Sequence, residues 1–439
     1  MTNALASSYL SSVFTDDKVA DILSDRFMVR AMLIIEGSLA DAQGQLGIIP
    51  AEAAARISLT ARQLPLDPSV LGGGMIRDGV PIPALIDILR EALPPEAAPF
   101  VHYGATSQDI MDTATVLQHR AIITLIEERL KTLIDRLADL ASQHQDSLML
   151  ARTHGQAAAP TTFGYKCVLW RDGLTRQQQR LSELKQRCLA LQFGGAAGTQ
   201  AAYGEQAQAL GDKLAELLKL KNPLLPWHAS RDRFVELGSW MATTTGALAK
   251  IAQDILLLSQ SEVAEVAEGT GGSSSSMPQK SNPMLSEAIV ALARHTATQM
   301  SGLHQAMIAD HERATHAWQL EWMTLPEIIQ AAGASLRLAD RLVATLRVDP
   351  ARMAQNLAEQ QGFVLAEAAS MALAQHMALP EAQKLVKEAV KAARSSGKGL
   401  FDVLKSMTDA PLDWDQLADP ANALGQAQTL TKRALIKGV

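Results

Sequence analysis

Aromatic residues and cysteines are scarce in this sequence of 439 residues. Phe, Trp and Tyr together make up 4%, although hydrophobic residues reach 47% and charged residues 20%. A core with few aromatic rings and much Ala and Leu favours close-packed helices over sheets. A chain of this length is expected to form two or three domains. The cysteines, Cys167 and Cys188, have no metal-ligand spacing, so we interpret them as buried thiols of a cytoplasmic protein.

Basic clusters and long apolar runs are absent from the sequence as well. The net charge is −6 and no Lys- or Arg-rich run occurs, which argues against a nucleic-acid partner. No apolar run reaches the length of a transmembrane helix, so no membrane partner is expected. The segment MTNALASSYLSS lacks a basic region followed by an apolar block, and we predict no signal peptide.

Apolar residues recur at helical spacing in long segments, and no strand-rich region is evident. The predicted long helices cover residues 109–144, 161–191, 232–268, 283–313 and 325–346. Segments such as TTTGALAKIAQDILLLSQ are apolar on more than one face, which indicates a homo-oligomer built around these helices. We predict an all-α protein with a helical domain at 1–103, a long-helix bundle at 104–347 and a small helical domain at 348–439.

The polar stretch HYGATSQDIMDTA, residues 102–114, precedes and opens the first long helix. Thr106 and Ser107 offer hydroxyl groups there, close to the backbone N–H groups of the helix start. Helix N-termini attract anions through these N–H groups and the macrodipole, so both residues are candidates for substrate binding. The alternative is an ordinary helix cap, which uses the same residue types.

A second polar stretch, ARTHGQAAAPTTFG at residues 151–164, lies just ahead of the next predicted helix. Its candidate site residues are Arg152, Thr153, His154 and Gln156. A histidine flanked by Thr and Gln is a candidate acid or base, or a carboxylate ligand. The alternative is a structural histidine that satisfies a hydrogen bond.

The third stretch, GGSSSSMPQKSNPM at residues 271–284, interrupts two apolar segments. Asn282 and Pro283 fit the N-cap and first position of the following helix. The loop therefore brings Lys280 and several serine hydroxyls to a positive helix terminus. A flexible linker is the alternative for a Ser- and Gly-rich segment, although a linker has no need of the Met-Pro-x-Lys-x-Asn-Pro wording.

These three stretches, in this order, resemble the fumarase/aspartase superfamily, most closely at SSSMPQKSNP and GATSQDIMDT. The resemblance extends over nearly the whole chain. It implies an all-α three-domain fold and a homotetramer whose active sites each draw on three subunits, with no metal or other cofactor. Aligned on Met277, the catalytic serine falls on Ser274 and a substrate-binding serine on Ser275. Ser273 stands where the superfamily usually has glycine, so the four consecutive serines, Ser273–Ser276, leave an ambiguity of one position.

The superfamily chemistry explains why these residue types are needed. Its members move a proton at a carbon next to a carboxylate, and the resulting negative charge must spread onto the carboxylate oxygens. Preorganised donors stabilise that charge, and the donors here are Thr106, Ser107, Lys280 and Asn282. A serine acts as a base only where a cation, a helix N-terminus or N–H groups stabilise its alkoxide. Ser274, His154 and Lys280 are therefore the predicted catalytic residues.

Several alternatives remain within the superfamily. Adenylosuccinate lyases typically have a phosphate-binding arginine soon after a HER sequence, where this chain has Glu321 and Trp322 in HERATHAWQLEW. The stretches FVHYGATSQDIMDTA and PWHASRDR instead resemble the lactonising cycloisomerases, which implies a small tricarboxylate substrate. Other open possibilities are a lyase for an N-substituted aspartate and a non-catalytic structural homologue. The candidate partners of the substrate carboxylates are Arg152, Arg231, Lys280 and Arg313, each with an ion pair as its alternative.

Overall fold

The structure is a computed structural model that describes residues 7–269, 272, 273, 277 and 280–437. Within these ranges the secondary structure is helical apart from three pairs of short antiparallel strands. The helices are α1 Ser11–Phe14, α2 Asp17–Ile22, α3 Asp25–Gln45, α4 Ala51–Gln63, α5 Gly72–Asp78, α6 Ile82–Glu91, α7 Ser107–Gln143, α8 Phe163–Cys188, α9 Ala207–Leu218, α10 Asp232–Leu258, α11 Met284–Gln305, α12 Thr315–Thr345, α13 Pro350–Ala358, α14 Ala366–Leu373, α15 Leu379–Ser396, α16 Leu400–Met407, α17 Trp414–Ala418 and α18 Ala427–Lys437. The strands are β1 Leu148–Thr153, β2 Gln156–Thr162, β3 Val266–Ala267, β4 Gly272–Ser273, β5 Ser281–Asn282 and β6 Arg347–Val348. The predicted all-α class is confirmed.

The five predicted long helices correspond to α7, α8, α10, α11 and α12. The predicted end of α10 at residue 268 is wrong, because the helix stops at Leu258 and the chain then reverses through Ala264, whose φ is 52°. Val266 follows in strand β3. Its apolar side chain falls at helical spacing in the sequence, which explains why the helix was predicted too long. The predicted start of the last long helix at residue 325 is also wrong. That helix begins at Thr315 and contains Pro326.

Helices α8 and α10 run antiparallel where they pack against each other. The Trp240 indole N–H donates to the Gln177 carbonyl at 2.9 Å, and the Cys188 thiol donates to the Arg233 carbonyl at 3.0 Å. Later residues of α8 therefore meet earlier residues of α10. Cys167 and Cys188 are both free and buried, as predicted. A cytoplasmic location stays a prediction.

The chain forms two compact units, and the boundaries of both fall inside the five long helices. The first unit comprises Met1–Leu130, Gln177–Gly246 and Ala291–Arg337, and the second comprises Lys131–Arg176, Ala247–Val290 and Leu338–Val439. The first has an apolar core from α3, α4, α6, α9 and the start of α7. The second has a core from α14, α15 and α16. The three domains inferred from the sequence stay a prediction.

Ser24 caps the start of α3. Its hydroxyl oxygen accepts a hydrogen bond from the Phe27 N–H at 3.3 Å. Such a side-chain acceptor satisfies one of the N–H groups that a helix start leaves free. In the described part of the chain, no helix has the length and apolar character needed to cross a bilayer.

His119 on α7 makes stability dependent on pH. It is 1% exposed, packs edge-on against Phe234 at 4.7 Å between ring centroids, and its Nδ1 has no partner among the described residues. Burial, reinforced by the charge of Arg231, lowers the pKa of His119 to about 3. The unfolded chain takes up this proton near pH ~6.5. The contribution to stability is therefore complete above that pH and is lost as the pH falls toward about 3.

We predict that His119→Leu unfolds with a weaker dependence on acid than the wild type. Each pH unit between the two pKa values is worth up to ~1.4 kcal/mol. The free energy of unfolding by urea should therefore fall by roughly 2 kcal/mol less for the variant than for the wild type between pH 6.5 and 4.5. The exposed His376 provides the control, because His376→Leu should keep the wild-type slope. Parallel slopes for His119→Leu and wild type would show that His119 titrates normally.

Candidate active site

Thr106 and Arg313 meet beside the start of α7, in the first unit. The Nη1 of Arg313 donates to the Thr106 hydroxyl oxygen at 2.6 Å and to the Ala196 carbonyl at 3.3 Å. The hydroxyl proton of Thr106 stays available, and Nε and Nη2 of Arg313 have no partner among the described residues. Ser107 follows directly as the first residue of α7. Together they form a cationic, donor-rich site that suits a carboxylate.

The Asp109 carboxylate accepts four hydrogen bonds beneath this site. One oxygen accepts from the Gly194 N–H at 2.8 Å and faces Nε2 of His228 at 2.8 Å. The other accepts from the Thr106 N–H at 3.0 Å and the Gly195 N–H at 2.9 Å. The residue is 1% exposed, so these donors replace water around a buried charge. Asp109 and His228 were not predicted as site residues, because 119 residues separate the two partners in the sequence.

Arg231 lies in a buried ion-pair cluster in the same unit. Its guanidinium contacts Asp112 at 2.7 and 3.0 Å, Glu321 at 3.0 and 2.6 Å, and the His228 carbonyl at 3.4 Å. An arginine has five N–H donors, and these contacts use all five. Arg231 is 3% exposed. It was predicted to bind a substrate carboxylate, but it has no donor left to offer one.

Charge in this cluster is balanced unevenly. Burial raises the pKa of Glu321 to about 7, and the Asp112 charge adds to the rise, whereas Arg231 opposes it. Although burial acts against it, the two carboxylates raise the pKa of Arg231. Arg231 is therefore always protonated, and two acids compete for its charge. Because the two acids and the His228 carbonyl occupy every N–H donor of Arg231, the cluster has no free cation for a phosphate.

His154 lies at the tip of the β1–β2 hairpin in the second unit. Thr153 pairs with Gln156, and the two turn residues His154 and Gly155 have φ of 51° and 74°. Positive φ at both central residues is the requirement of a tight type I′ hairpin turn. This stretch was predicted to lie just ahead of a helix that begins at residue 161. The hairpin was not predicted, and it carries the stretch up to the start of α8 at Phe163.

The hairpin exposes three of the predicted site residues and anchors the fourth. Thr153, His154 and Gln156 are exposed. Arg152, by contrast, donates to both oxygens of Glu265 at 2.7 and 3.0 Å, and Glu265 is fully buried. The amide of Asn356 also donates to Glu265, at 2.8 Å. Arg152 therefore fixes the base of the hairpin that carries His154.

Lys280 and Asn282 lie at the end of the serine-rich loop, in the second unit. Lys280 is exposed and Asn282 is half-buried in β5, which pairs with β4. Ser274 and Ser275, predicted as the catalytic and a binding serine, lie outside the described residues. A cleft of about 770 Å³ is lined by Lys280, Asn282 and also Arg347. Arg347 has no motif around it and was therefore not among the predicted site residues.

Glu268 occupies the N-terminus of α11, which the sequence analysis assigned to the stabilisation of a serine alkoxide. Its carboxylate accepts from the Leu285 N–H at 3.0 Å, the Ser286 N–H at 2.8 Å and the Ser286 hydroxyl at 2.6 Å. The residue before the loop thus caps the helix after the loop. Glu268 therefore links the two ends of the loop. Its carboxylate also balances the partial positive charge at the N-terminus of α11.

The structure brings Thr106, Ser107 and Arg313 together in the first unit, and Arg152, Thr153, His154 and Gln156 together on the hairpin of the second. Lys280 and Asn282 share the cleft described above. Arg231 stands apart in its buried cluster. Among the described residues, no group of three or more His, Cys, Asp and Glu side chains could hold a metal ion.

The fold and these motifs define a class of enzyme. The sequence pattern of the lyase family matches residues 77–298. The chain belongs to this family, and it is an enzyme of the fumarase/aspartase superfamily, as the sequence resemblance indicated.

Three known proteins show where in the family the similarity lies. The 3-carboxy-cis,cis-muconate cycloisomerase of Pseudomonas aeruginosa is 40% identical over 99% of this chain and 97% of its own. Trans-aconitate decarboxylase 1 of Mycosarcoma maydis is 38% identical over 97% of this chain and 88% of its own. The crystal structure of 3-carboxy-cis,cis-muconate lactonizing enzyme from Pseudomonas putida has a TM-score of 0.91 at 38% identity, covering 98% of both chains.

We predict that Glu268→Gln loosens the start of α11. The amide has one acceptor oxygen and no charge, so at least one of the Leu285 and Ser286 N–H groups loses its partner. A lost charged cap costs about 1–2 kcal/mol, which corresponds to roughly tenfold faster exchange of these two amides with solvent deuterium. Glu287→Gln, an exposed glutamate in the same helical turn, should change their exchange little. Unchanged exchange in Glu268→Gln would mean that the cap contributes nothing.

Proposed function

We propose that this enzyme converts 3-carboxy-cis,cis-muconate into 4-carboxymuconolactone, a step in the breakdown of protocatechuate. The observation that carries the proposal is the cationic donor site formed by Arg313 and Thr106 in a chain that matches cycloisomerases over nearly its full length. The substrate is a small tricarboxylate, so several separate anion-binding groups are required. No metal or other cofactor takes part in the proposed reaction.

Counted in the acid forms, the reaction is an isomerisation, because the proton lost when the attacking carboxyl group ionises is balanced by the proton that adds to carbon. One carboxylate oxygen attacks the alkene carbon β to another carboxylate, forming the C–O bond of the lactone ring. The alkene electron pair moves onto the α-carbon and is delocalised into the adjacent carboxylate. A proton then adds to the α-carbon. Because nucleophile and electrophile belong to one molecule, the enzyme gains rate by holding a folded conformation of the substrate.

The predicted donors suit the binding part of this reaction. We assign one substrate carboxylate to Arg313, Thr106 and Ser107, and the carboxylate that accepts the developing charge to Lys280, Asn282 and Ser275. Thr153 and Gln156 contribute hydrogen bonds from the hairpin. Arg152 and Arg231 are assigned positioning roles, because Glu265, Asp112 and Glu321 already bind their guanidinium groups.

Ser274 is the proposed proton carrier at the α-carbon. In the lactonising direction its hydroxyl delivers the proton, and in the reverse direction its alkoxide removes it. Lys280 supplies the cation beside the developing charge. The N-terminus of α11 is left out of this role, because Glu268 already occupies it. His154 is proposed to bind a carboxylate or to relay the proton from its exposed position at the hairpin tip.

The rival assignment to an adenylosuccinate-type lyase is disfavoured by Glu321. That position lies where such lyases are expected to place a phosphate-binding arginine, and here a buried glutamate pairs with Arg231 at 2.6 Å. A nucleotide phosphate would face carboxylates there instead of a bidentate cation.

The proposed assembly is a homotetramer whose active sites are shared among three subunits. Long helices that leave large apolar residues exposed support it, because such faces are usually covered by another chain. The exposed residues are Leu169, Leu257, Met284 and Met323. The exposed tip of the hairpin also supports it. Among the described residues, the side chains of Thr153, His154 and Gln156 have no hydrogen-bond partner, so a second subunit would have to complete a site around them.

We predict that the purified enzyme consumes 3-carboxy-cis,cis-muconate, seen as loss of the conjugated diene absorbance, at a rate unaffected by EDTA. Trans-aconitate, adenylosuccinate and argininosuccinate should be poor substrates in parallel assays, because none offers a carboxylate placed to close this lactone. Efficient cleavage of adenylosuccinate with an unchanged diene would overturn the proposed substrate and the interpretation of Glu321.

We predict that Ser274→Ala lowers kcat at least ~10²-fold, the typical value of a lost proton-transfer group. Its unfolding free energy should change by less than ~1 kcal/mol, because a loop hydroxyl adds little packing. Ser273→Gly should be nearly neutral, and Ser275→Ala should fall between the two. An inactive Ser275→Ala beside an active Ser274→Ala would shift the assignment by one position.

Mixed tetramers provide the control for shared sites. Ser274→Ala and His154→Gln subunits, each inactive alone, should recover up to about a quarter of wild-type activity when co-assembled, since random assortment leaves that share of sites with both residues intact. Recovery requires the two residues of one site to come from different subunits. No recovery in a confirmed mixed tetramer would contradict shared sites.

A further inference from the structure

We propose that Asp109 is a positioning residue for the Arg313–Thr106 carboxylate site and acts on it through the loop Gly194–Ala196. This inference rests on the proposed function only in taking Arg313 as a substrate ligand. Asp109 lies in the first turn of α7. Its two oxygens already accept from Thr106, Gly194 and Gly195 and face His228, so no oxygen is left to contact substrate.

The contacts form one continuous path. Asp109 binds the N–H groups of Gly194 and Gly195, and the next residue, Ala196, uses its carbonyl to accept from Nη1 of Arg313 at 3.3 Å. The same nitrogen donates to the Thr106 hydroxyl at 2.6 Å. Asp109 therefore determines the position of the Ala196 carbonyl, and this carbonyl orients the Arg313 guanidinium. It also holds the backbone of Thr106 directly, at 3.0 Å.

Two glycines make this approach possible. A Cβ on Gly194 would lie 2.8 Å from Cε1 of His228 and 2.8 Å from Cβ of Pro226. Gly195 has a φ of 69° and a Cβ there would lie 3.2 Å from the Gly104 carbonyl. Side chains at either position would push the loop off Asp109. The glycines thus let two successive N–H groups converge on one carboxylate, as in backbone anion-binding turns.

The carboxylate is needed as such. Each oxygen of Asp109 faces two donors, so an asparagine in either orientation would turn an NH₂ group toward at least one backbone N–H. The loop Gly194–Ala196 would then lose one of its two anchors, and the Ala196 carbonyl would no longer be fixed beside Arg313. Two buried donors that face each other cost free energy. We expect the loop Gly194–Ala196, and not helix α7, to move and relieve this contact.

A purely structural role for Asp109 and the positioning role predict different couplings. If Asp109 only stabilises the fold, its replacement and that of Arg313 affect ligand binding independently, and the effects multiply. If Asp109 acts through Arg313, the second replacement adds little once Arg313 is gone. A double-mutant cycle measures this difference directly.

The test is calorimetric binding of benzene-1,2,4-tricarboxylate, an unreactive tricarboxylate, to the full-length enzyme. Asp109→Asn should raise Kd roughly tenfold, which corresponds to ~1.4 kcal/mol, and Arg313→Gln should raise it by at least as much. The Kd of the double variant should be at most about twofold higher than the Kd of Arg313→Gln alone. In the carboxymuconate assay, Asp109→Asn should raise KM more than it lowers kcat. Asp212→Asn, an exposed aspartate paired with Asn222, is the matched control and should match the wild type.

Gly194→Ala supplies a second route if Asp109→Asn does not fold. It displaces the loop sterically without removing a charge, and it should weaken binding of the probe. In the Arg313→Gln background, Gly194→Ala should have little further effect on Kd. Multiplicative effects in both cycles, or wild-type Kd values for Asp109→Asn and Gly194→Ala, would overturn the proposal. So would wild-type enzyme that fails to bind the probe. Wild-type enzyme that binds the probe, with the expected coupling, but leaves carboxymuconate unchanged would refute the proposed function alone.

Discussion

The pairing of buried carboxylates with donors from distant parts of the chain organises the candidate active site. Asp109, Asp112, Glu265 and Glu268 are each 5% exposed or less. Each gathers backbone N–H groups, an arginine or an amide from a distant part of the chain. The cost of leaving such a charge unpaired is several kcal/mol, so the segments that supply the donors are held in place. Those segments are the helix start at Thr106, the base of the hairpin and the end of the serine-rich loop.

The same acids decide which cations are available to a substrate. Arg152 and Arg231 are committed to Glu265 and to Asp112 with Glu321, and both are largely withdrawn from solvent. Lys280 and Arg313 are exposed, and Arg313 is bound only through Nη1. Arginine suits both tasks because its planar group binds a carboxylate with two N–H groups. Whether it binds a substrate or a neighbouring acid depends on the partner that the fold brings next to it.

The sequence could predict features that depend on residues close together in the chain, and it could not predict pairings between distant residues. Helical periodicity is local, so α7 was predicted to within a few residues, and the loop motifs are contiguous, so their residues could be named in advance. The hairpin was missed because AAAPTT carries no alternation of apolar and polar residues. The partners of Arg152 and Arg231 were missed because they lie 113 and up to 119 residues away. Pairings over such distances are set by packing and leave no local pattern.

Glu321 stands where an adenylosuccinate-type lyase is expected to have an arginine, and it changes what the neighbouring Arg231 can bind. A glutamate at this position does more than remove a cation, because it turns Arg231 inward and fills all five of its N–H groups together with Asp112 and the His228 carbonyl. No N–H donor of Arg231 is then left for a phosphate to use. Trp318 donates to Asp112 at 3.1 Å and lies 4.7 Å from the ring of Trp322, so apolar rings close the space beside the cluster. A nucleotide phosphate therefore finds no free bidentate cation at this buried cluster.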